Sequence, residues 1–386
     1  MPQHRTRRTL VAIPLAVALF ALAPAGSSAR TATPTDAALA LLVTRGKAPA
    51  AALLAREESG TRFAHAEAGT GATASAPSRP PATSAPDDGS AVASRPATTP
   101  GPATAIRRED HFRAGSITKT FLATVVLQLA AEHRLSLSDS VDDHLPGVVR
   151  GAGNDGRALT LRALLTHTSG LYDFTRDTEG AFPVTPLQAV RIALTHPPAD
   201  RGRFAYSNTN YVLLGMVVEQ VTGASYATEI RRRIISPLRL TGTSFPGSRM
   251  SLPSPHGRAY ATDGSDVTEL DPRAAGAAGE LVSTLADLDR FYAALLGGEL
   301  LPPDQRREML NTRAAQGEYG MGIYPVKLPC GTTVWGHNGR ISGSYVRTAA
   351  TIDGRRVLTF RVNTSGIADP GLEPALLSAE FCPRTP

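Results

Sequence analysis

The 386 residues contain two cysteines, Cys330 and Cys382, one tryptophan and three lysines. Two cysteines are too few for a disulfide-framework mini-protein or a four-cysteine zinc site. The nine histidines form no His-Glu-x-x-His pattern, so a zinc-peptidase helix is missing. There is no Gly-x-Ser-x-Gly elbow and no glycine-rich phosphate loop, which argues against an ordinary α/β-hydrolase and against nucleotide chemistry. Neither cofactor nor metal is expected. No apolar run reaches the ~20 residues of a membrane span outside the extreme N-terminus. Nor is there a dense Lys/Arg run with interleaved aromatics, so nucleic acid is a poor partner.

Hydrophobic residues make up 42% of the chain and charged residues 19%, enough for a substantial core. The net charge is +6, and three of those charges are Arg5, Arg7 and Arg8. These open a segment that reads as an export signal. Residues 1–8 are basic, Leu10 to Leu22 are apolar, and small residues run through Ala25 to Ala29. An N-terminal anchor is the competing reading, but Pro14 interrupts a stretch already short for one. Residues 1–29 are therefore expected to be cleaved, giving a secreted protein of charge about +3 without a stable membrane anchor. Outside the cytoplasm Cys330 and Cys382 pair, tying the strand before the site to the C-terminal helix. Two separate buried thiols are the alternative.

Asp36 and Gly46 bracket a short helix over 35–45. Residues 51–57 and 61–66 read as a hairpin around Ser59-Gly60. Between Phe63 and Ile106 the only branched aliphatic residue is Val92. Residues 69–105 thus cannot bury enough apolar surface to offset their ordering, and read as a flexible insertion or, alternatively, an interdomain linker. From Ser116 the helical period takes over: Ile117, Phe121, Leu122, Val125, Val126 and Leu129 form one apolar face. Further helices are expected over 161–165, 186–194, 210–221 (with Gly223 as its C-terminal cap) and 284–296. The last 60 residues return to strands at 332–336, 345–352 and 355–362, with Asp353-Gly354 as a hairpin turn, before a helix over 372–381. Strands at both ends and helices between them give an α/β (α+β) layer with an inserted helical region.

One of the three lysines lies in Ser116-Ile117-Thr118-Lys119, in a chain with 37 arginines. Unlike arginine, lysine can lose its proton when desolvated. A serine at a helix start with lysine at i+3 shares one face with it, and a serine nucleophile needs such help. An N-capping serine with a solvated lysine is the bland reading. With 26 serines, Ser-x-x-Lys arises by chance about one time in five. Tyr206-Ser207-Asn208 and His337-Asn338-Gly339 are also weak alone. Together, and in this order, with the first two opening helices and the third ending a strand, they are not readily accidental.

With those residues in view, the chain resembles the serine D-Ala-D-Ala carboxypeptidases and their relatives in the penicillin-binding, class C β-lactamase-like superfamily. Their Ser-x-x-Lys, Ser-Asp-Asn and Lys-Thr-Gly elements appear here as Ser116/Lys119, Tyr206/Asn208 and His337/Gly339. The stretches Phe112 to Ser116, Leu164 to Leu171 and Tyr206 to Tyr211 match as well, and the likeness covers roughly 36–66 and 108–386. It implies an antiparallel sheet flanked by helices, β-lactamase/transpeptidase-like, as one hydrolase domain over 30–386. It further implies that Ser116 forms an acyl-enzyme while Lys119 and Tyr206 manage its proton, with the choice of base left open. Asn208 would hold the substrate amide and His337 would stabilise charge at the cleft wall, beside Gly339. Backbone N–H groups of Ser116 and Arg340 would form the oxyanion hole. His167 reads as structural and Trp335 as core. The expected substrates are peptidoglycan-type peptides or other small acyl donors, and β-lactams. The expected activity is a D-alanyl-D-alanine carboxypeptidase. Alternatives are an esterase, a D-amino-acid amidase or a β-lactamase on the same scaffold, or a non-catalytic penicillin- or cell-wall-binding module. One departure bears on this choice. Such carboxypeptidases carry an arginine six residues before the cysteine, where this chain has Tyr324, and Arg340 is the candidate replacement for holding a carboxylate.

Overall fold

The structure is a computed structural model, and it describes residues 33–57, 60–68, 105–179 and 182–383. The expected signal segment and the 69–104 part of the insertion lie outside those residues. No helix among the described residues is long and apolar enough to cross a membrane.

Helix α1 (Pro34–Thr44) begins at Thr33, whose side chain accepts the Asp36 N–H while the Asp36 carboxylate accepts the Thr33 N–H. The chain then forms the hairpin β1 (Ala50–Glu57) and β2 (Gly60–Glu67). Far along the sequence come helices α2 (Thr118–Ala131), α3 (Asn208–Thr222) and α4 (Leu285–Gly297). Strands β3 (Tyr324–Lys327), β4 (Thr333–Ile341), β5 (Ser344–Ala350) and β6 (Val357–Val362) follow, and α5 (Leu372–Phe381) closes the fold. The strands make one antiparallel sheet in the order β2-β1-β6-β5-β4-β3. The first hairpin therefore lies beside the last strands.

Strand β1 shows why the sheet needs cover on both faces. Ala50, Ala52 and Leu54 enter the larger core with the helices of residues 118–297, while Ala51, Leu53 and Ala55 enter a second core beneath α1 and α5. Arg62 on β2 ties the second layer together through Asp36 of α1 and Glu380 of α5. Cys330 and Cys382 are disulfide-bonded, with Cα atoms 5.8 Å apart across 52 positions of sequence.

Helix α2 and the third motif differ from the sequence expectation. Helix α2 is buried nearly all round rather than on one face, because it runs through the centre of the helical region. Two of its buried hydroxyls find carbonyl partners there: Thr120 Oγ1 donates to Gly322 O at 2.5 Å and Thr124 Oγ1 to Thr120 O at 2.8 Å. The third motif does not end a strand but lies inside β4, which runs on to Ile341. Gly336 and Gly339 read as a stop, yet they mark close backbone approach. A Cβ at Gly336 would run into the Thr348 carbonyl and one at Gly339 into the Ala114 carbonyl.

Candidate active site

The short strand Phe112–Arg113 pairs with Val282–Ser283, and Ala114 N–H donates to Leu281 O at 2.7 Å. These bonds deliver Ser116 in a 3₁₀ turn (Gly115–Ile117) just before α2, rather than at the helix start itself. Gly115 has φ of 53°, and an added Cβ would lie 2.8 Å from Arg340 N. Only glycine lets the turn press so closely on β4.

Lys119 is fully buried one turn on, and its Nζ lies 2.9 Å from Ser116 Oγ, 2.8 Å from Asn208 Oδ1 and 2.7 Å from Ala278 O. Burial lowers its pKa to about 7, against a smaller opposing pull from Asp173. Tyr206 Oη donates to Ser116 Oγ at 2.9 Å, and burial pushes that phenol well above its usual pKa. Lys119 and Tyr206 thus converge on Ser116 Oγ, and Asn208 holds Lys119 from the side.

The loop carrying Tyr206 is held from behind. His167 is fully buried at φ 55°, and its Nδ1 accepts from Ser207 N–H at 3.2 Å and Asn210 Nδ2 at 3.1 Å. Its ring packs 4.2 Å from that of Tyr206, and burial keeps the imidazole neutral. The structural reading of His167 fits this setting. The other serines of the motif stretches are occupied elsewhere: Ser169 Oγ donates to Asn210 Oδ1 at 2.6 Å and Ser207 Oγ to Tyr172 O at 3.2 Å.

Around Ser116 opens a cleft of about 830 Å³, lined also by Asp173, Thr175, Glu179, Tyr206, Asn208, Asn338 and Arg340. His337 is not among its lining residues, which corrects the expectation that it stabilises charge at the cleft wall. Its ring is 1% exposed and sits between two partners, Asn338 O at Nδ1 and Tyr319 Oη at Nε2, the latter 2.7 Å away. A carbonyl only accepts, so Nδ1 carries the hydrogen and Nε2 accepts from the tyrosine. Desolvation lowers its pKa to about 3, which leaves it neutral. Gly339 provides close packing and Arg340 is exposed at the cleft, with no ion-pair partner among the described residues. Tyr324 packs behind this wall against the Arg347 guanidinium, 4.3 Å from its ring centre.

Sequence reasoning missed Asp173 and the Ala278 carbonyl. Asp173 accepts from Asn208 Nδ2 at 3.1 and 3.3 Å and from Thr175 Oγ1 at 2.8 Å, so it orients the amide that faces Lys119. A lone aspartate just past Gly170-Leu171-Tyr172 has no spacing partner to flag it, and a backbone carbonyl has no sequence signal at all.

The family model described as Beta-lactamase matches residues 87–371. A D-stereospecific amidohydrolase from Streptomyces sp. superposes with a TM-score of 0.75 and 37% identity, covering 91% of this chain and 99% of that one. The D-amino acid amidase of Ochrobactrum anthropi SV3, at 23% identity, shares the fold with a TM-score of 0.70 over 90% of this chain and 97% of its own. Penicillin-binding protein 4 of Amycolatopsis lactamdurans is 31% identical over 215 residues, 53% of this chain and 56% of that protein. The chain spans about half the length of the curated relatives it matches. With the family match running over most of its length, the chain belongs to the beta-lactamase family and is a serine hydrolase of that family.

Proposed function

We propose that the protein is a D-stereospecific amidohydrolase that acts, through an acyl-enzyme on Ser116, on small substrates with a free α-amino group. The observation that carries the mechanism is the set of three oxygens around Lys119 Nζ. A neutral amine has two N–H bonds and one lone pair. Asn208 Oδ1 and Ala278 O can only accept, so they take the two hydrogens, and the lone pair faces the Ser116 hydroxyl at 2.9 Å. Lys119, lowered to about 7, then serves as the base, whereas the Tyr206 phenol stays protonated and donates to Ser116 Oγ.

Ser116 Oγ attacks the amide carbonyl as its proton passes to Lys119, and the backbone N–H groups of Ser116 and Arg340 hold the oxyanion. The C–N bond breaks as the leaving nitrogen takes that proton through the Lys119–Tyr206 pair. Water then cleaves the ester, giving the free acid and regenerating Ser116.

Two residues lining the cleft support this substrate class. Among the described residues Asp173 Oδ2 has only the 3.1 Å bond from Asn208, which leaves it open to a substrate ammonium, while the exposed Arg340 suits a carboxylate on the leaving side. The 37% identity to a D-stereospecific amidohydrolase over nearly all of that chain supports the same choice. Arg340 also favours a second reading, D-alanyl-D-alanine carboxypeptidase activity on N-acylated peptides. Export is inferred from the basic, apolar and small-residue order of 1–29, and the disulfide suits an oxidising compartment.

The test is a panel of D-alanine amide, L-alanine amide, an N-acylated D-Ala-D-Ala peptide and a chromogenic β-lactam. Turnover of the D-amide with little of the L-amide is expected. Turnover of the N-acylated peptide alone would replace this reading with the carboxypeptidase. An Arg340→Ala variant should lose about 1.5–3 kcal/mol of transition-state binding on carboxylate-bearing peptides and little on the amide.

A further inference from the structure

Behind the catalytic wall lies a second cavity of about 380 Å³, between residues 174–189 and 273–280. Its walls are mainly apolar, from Phe174, Val184, Val212 and Met216, and it shares Ala275 with the catalytic cleft. Two carboxylates face this apolar space, Glu219 on α3 and Glu280. Glu280 is 7% exposed, and among the described residues its Oε1 accepts only from Tyr226 Oη, at 2.5 Å. Glu219 is half-buried and accepts the Tyr226 N–H at 3.4 Å.

Carboxylates at a mostly apolar site carry a desolvation cost that a cation would relieve. Among the described residues none supplies it. The lining cation Arg273 is committed to Asp271, with Nη2 2.6 Å from Oδ2 and Nε 3.0 Å from Oδ1. Desolvation raises both glutamates above the usual carboxylate range, and for Glu280 the proximity of Glu219 adds to it. Apolar walls with two uncompensated carboxylates select one chemistry, a hydrocarbon body that ends in an ammonium group. A neutral apolar molecule would leave the carboxylates unserved, and an anion would be repelled.

We propose that this cavity is a second binding site, separate from the Ser116 cleft, for a primary ammonium ion carried on an apolar alkyl or aryl-alkyl body. Segment 272–280 joins the two sites, because Ala275 lines both and the Ala278 carbonyl accepts from Lys119 Nζ at 2.7 Å. An occupant therefore presses on the segment that holds the catalytic lysine without entering the catalytic cleft.

The probe is n-hexylamine, protonated at neutral pH, titrated calorimetrically into the full chain, with n-hexanol as the uncharged match. Saturable binding of the amine is expected, with the alcohol weaker. Glu219→Gln keeps an oxygen for the Tyr226 N–H and should weaken the amine about tenfold. Met216→Trp, which fills the cavity, should abolish binding. Asp173→Asn removes the rival carboxylate in the catalytic cleft and should leave the affinity unchanged. If turnover is measured, inhibition by the amine should be noncompetitive with the substrate. Absence of binding, or affinity insensitive to both Glu219→Gln and Met216→Trp, or loss with Asp173→Asn, would overturn the proposal. The titration needs no turnover, so its outcome is independent of the substrate assignment.

Discussion

The two walls of the catalytic cleft are built on opposite plans. The helical wall gathers side chains that can exchange protons, Ser116, Lys119 and Tyr206, and hydrogen bonds of 2.8–2.9 Å join them to one another and to the Asn208 amide. The sheet wall carries a titratable group too, but His337 is turned inward, locked between Tyr319 and a carbonyl, and neutral. What the sheet wall presents is shape, through Gly339 against Ala114, and one cation, Arg340. Both Lys119 and His337 are buried and both are pushed down in pKa, yet only Lys119 lands near neutrality. Burial alone does not make a base. The resting pKa and the free direction of the lone pair together decide which group can act.

That division can be broken experimentally, and the largest effect is expected on the helical wall. Lys119→Arg keeps a cation but removes a group able to lose its proton, and should lower kcat/KM by about 10⁴-fold. In the unmutated chain kcat/KM should fall about tenfold per pH unit below about 7, where Lys119 is protonated, and level off above it. The same lowered pKa bears on stability. Between about 7 and 10.5 the unfolded chain binds the proton that the folded chain has lost, so stability rises with pH across that window. Denaturant midpoints across this range provide the check.

Next in size is the tether of the sheet layer. Replacing Cys330 and Cys382 by serine reopens a loop of 52 positions and should cost about 4 kcal/mol in the chain-entropy account. Neither cysteine touches the cleft, so kcat should hold below the new melting point. Gly339→Ala tests the sheet wall as shape. The added methyl would press on the Ala114 carbonyl, displace the Ser116 turn from β4, and lower kcat by about 10²-fold. The smallest change is expected for His337→Gln. It should lower activity only a few-fold and leave the midpoint of the pH profile in place, since that midpoint belongs to Lys119. A midpoint displaced by this variant would reverse the roles assigned to the two walls.

Much of the helical wall was readable in the sequence, because its chemistry lies in short spacings. Ser116 and Lys119 stand three residues apart in a chain with few lysines, and α3 shows its period and its capping Gly223. The boundaries of α5 and of the helix Leu161–Leu165 matched as well, since their apolar pattern and flanking residues agree. The sheet wall was less legible. The glycines of β4 look like a strand end until the Thr348 and Ala114 carbonyls are placed against them. Strand β3 went unnoticed because four residues that include Pro325 give no alternation, and its proline is tolerated only at an edge. His337 reads as a charge-stabilising wall residue because its partner Tyr319 lies 18 residues away, outside any motif. Long-range contacts of this kind have no local signature.

The most direct test of the account is to find where the acyl group goes. The protein would be mixed with an activated ester of D-alanine, quenched in acid within the first turnover, digested and mapped by mass spectrometry. One D-alanyl mass on the peptide containing Ser116, absent from Ser116→Ala and formed far more slowly in Lys119→Arg, is the expected result. An adduct on Ser169 or Ser207, or first-turnover product with no adduct on any serine, would contradict it.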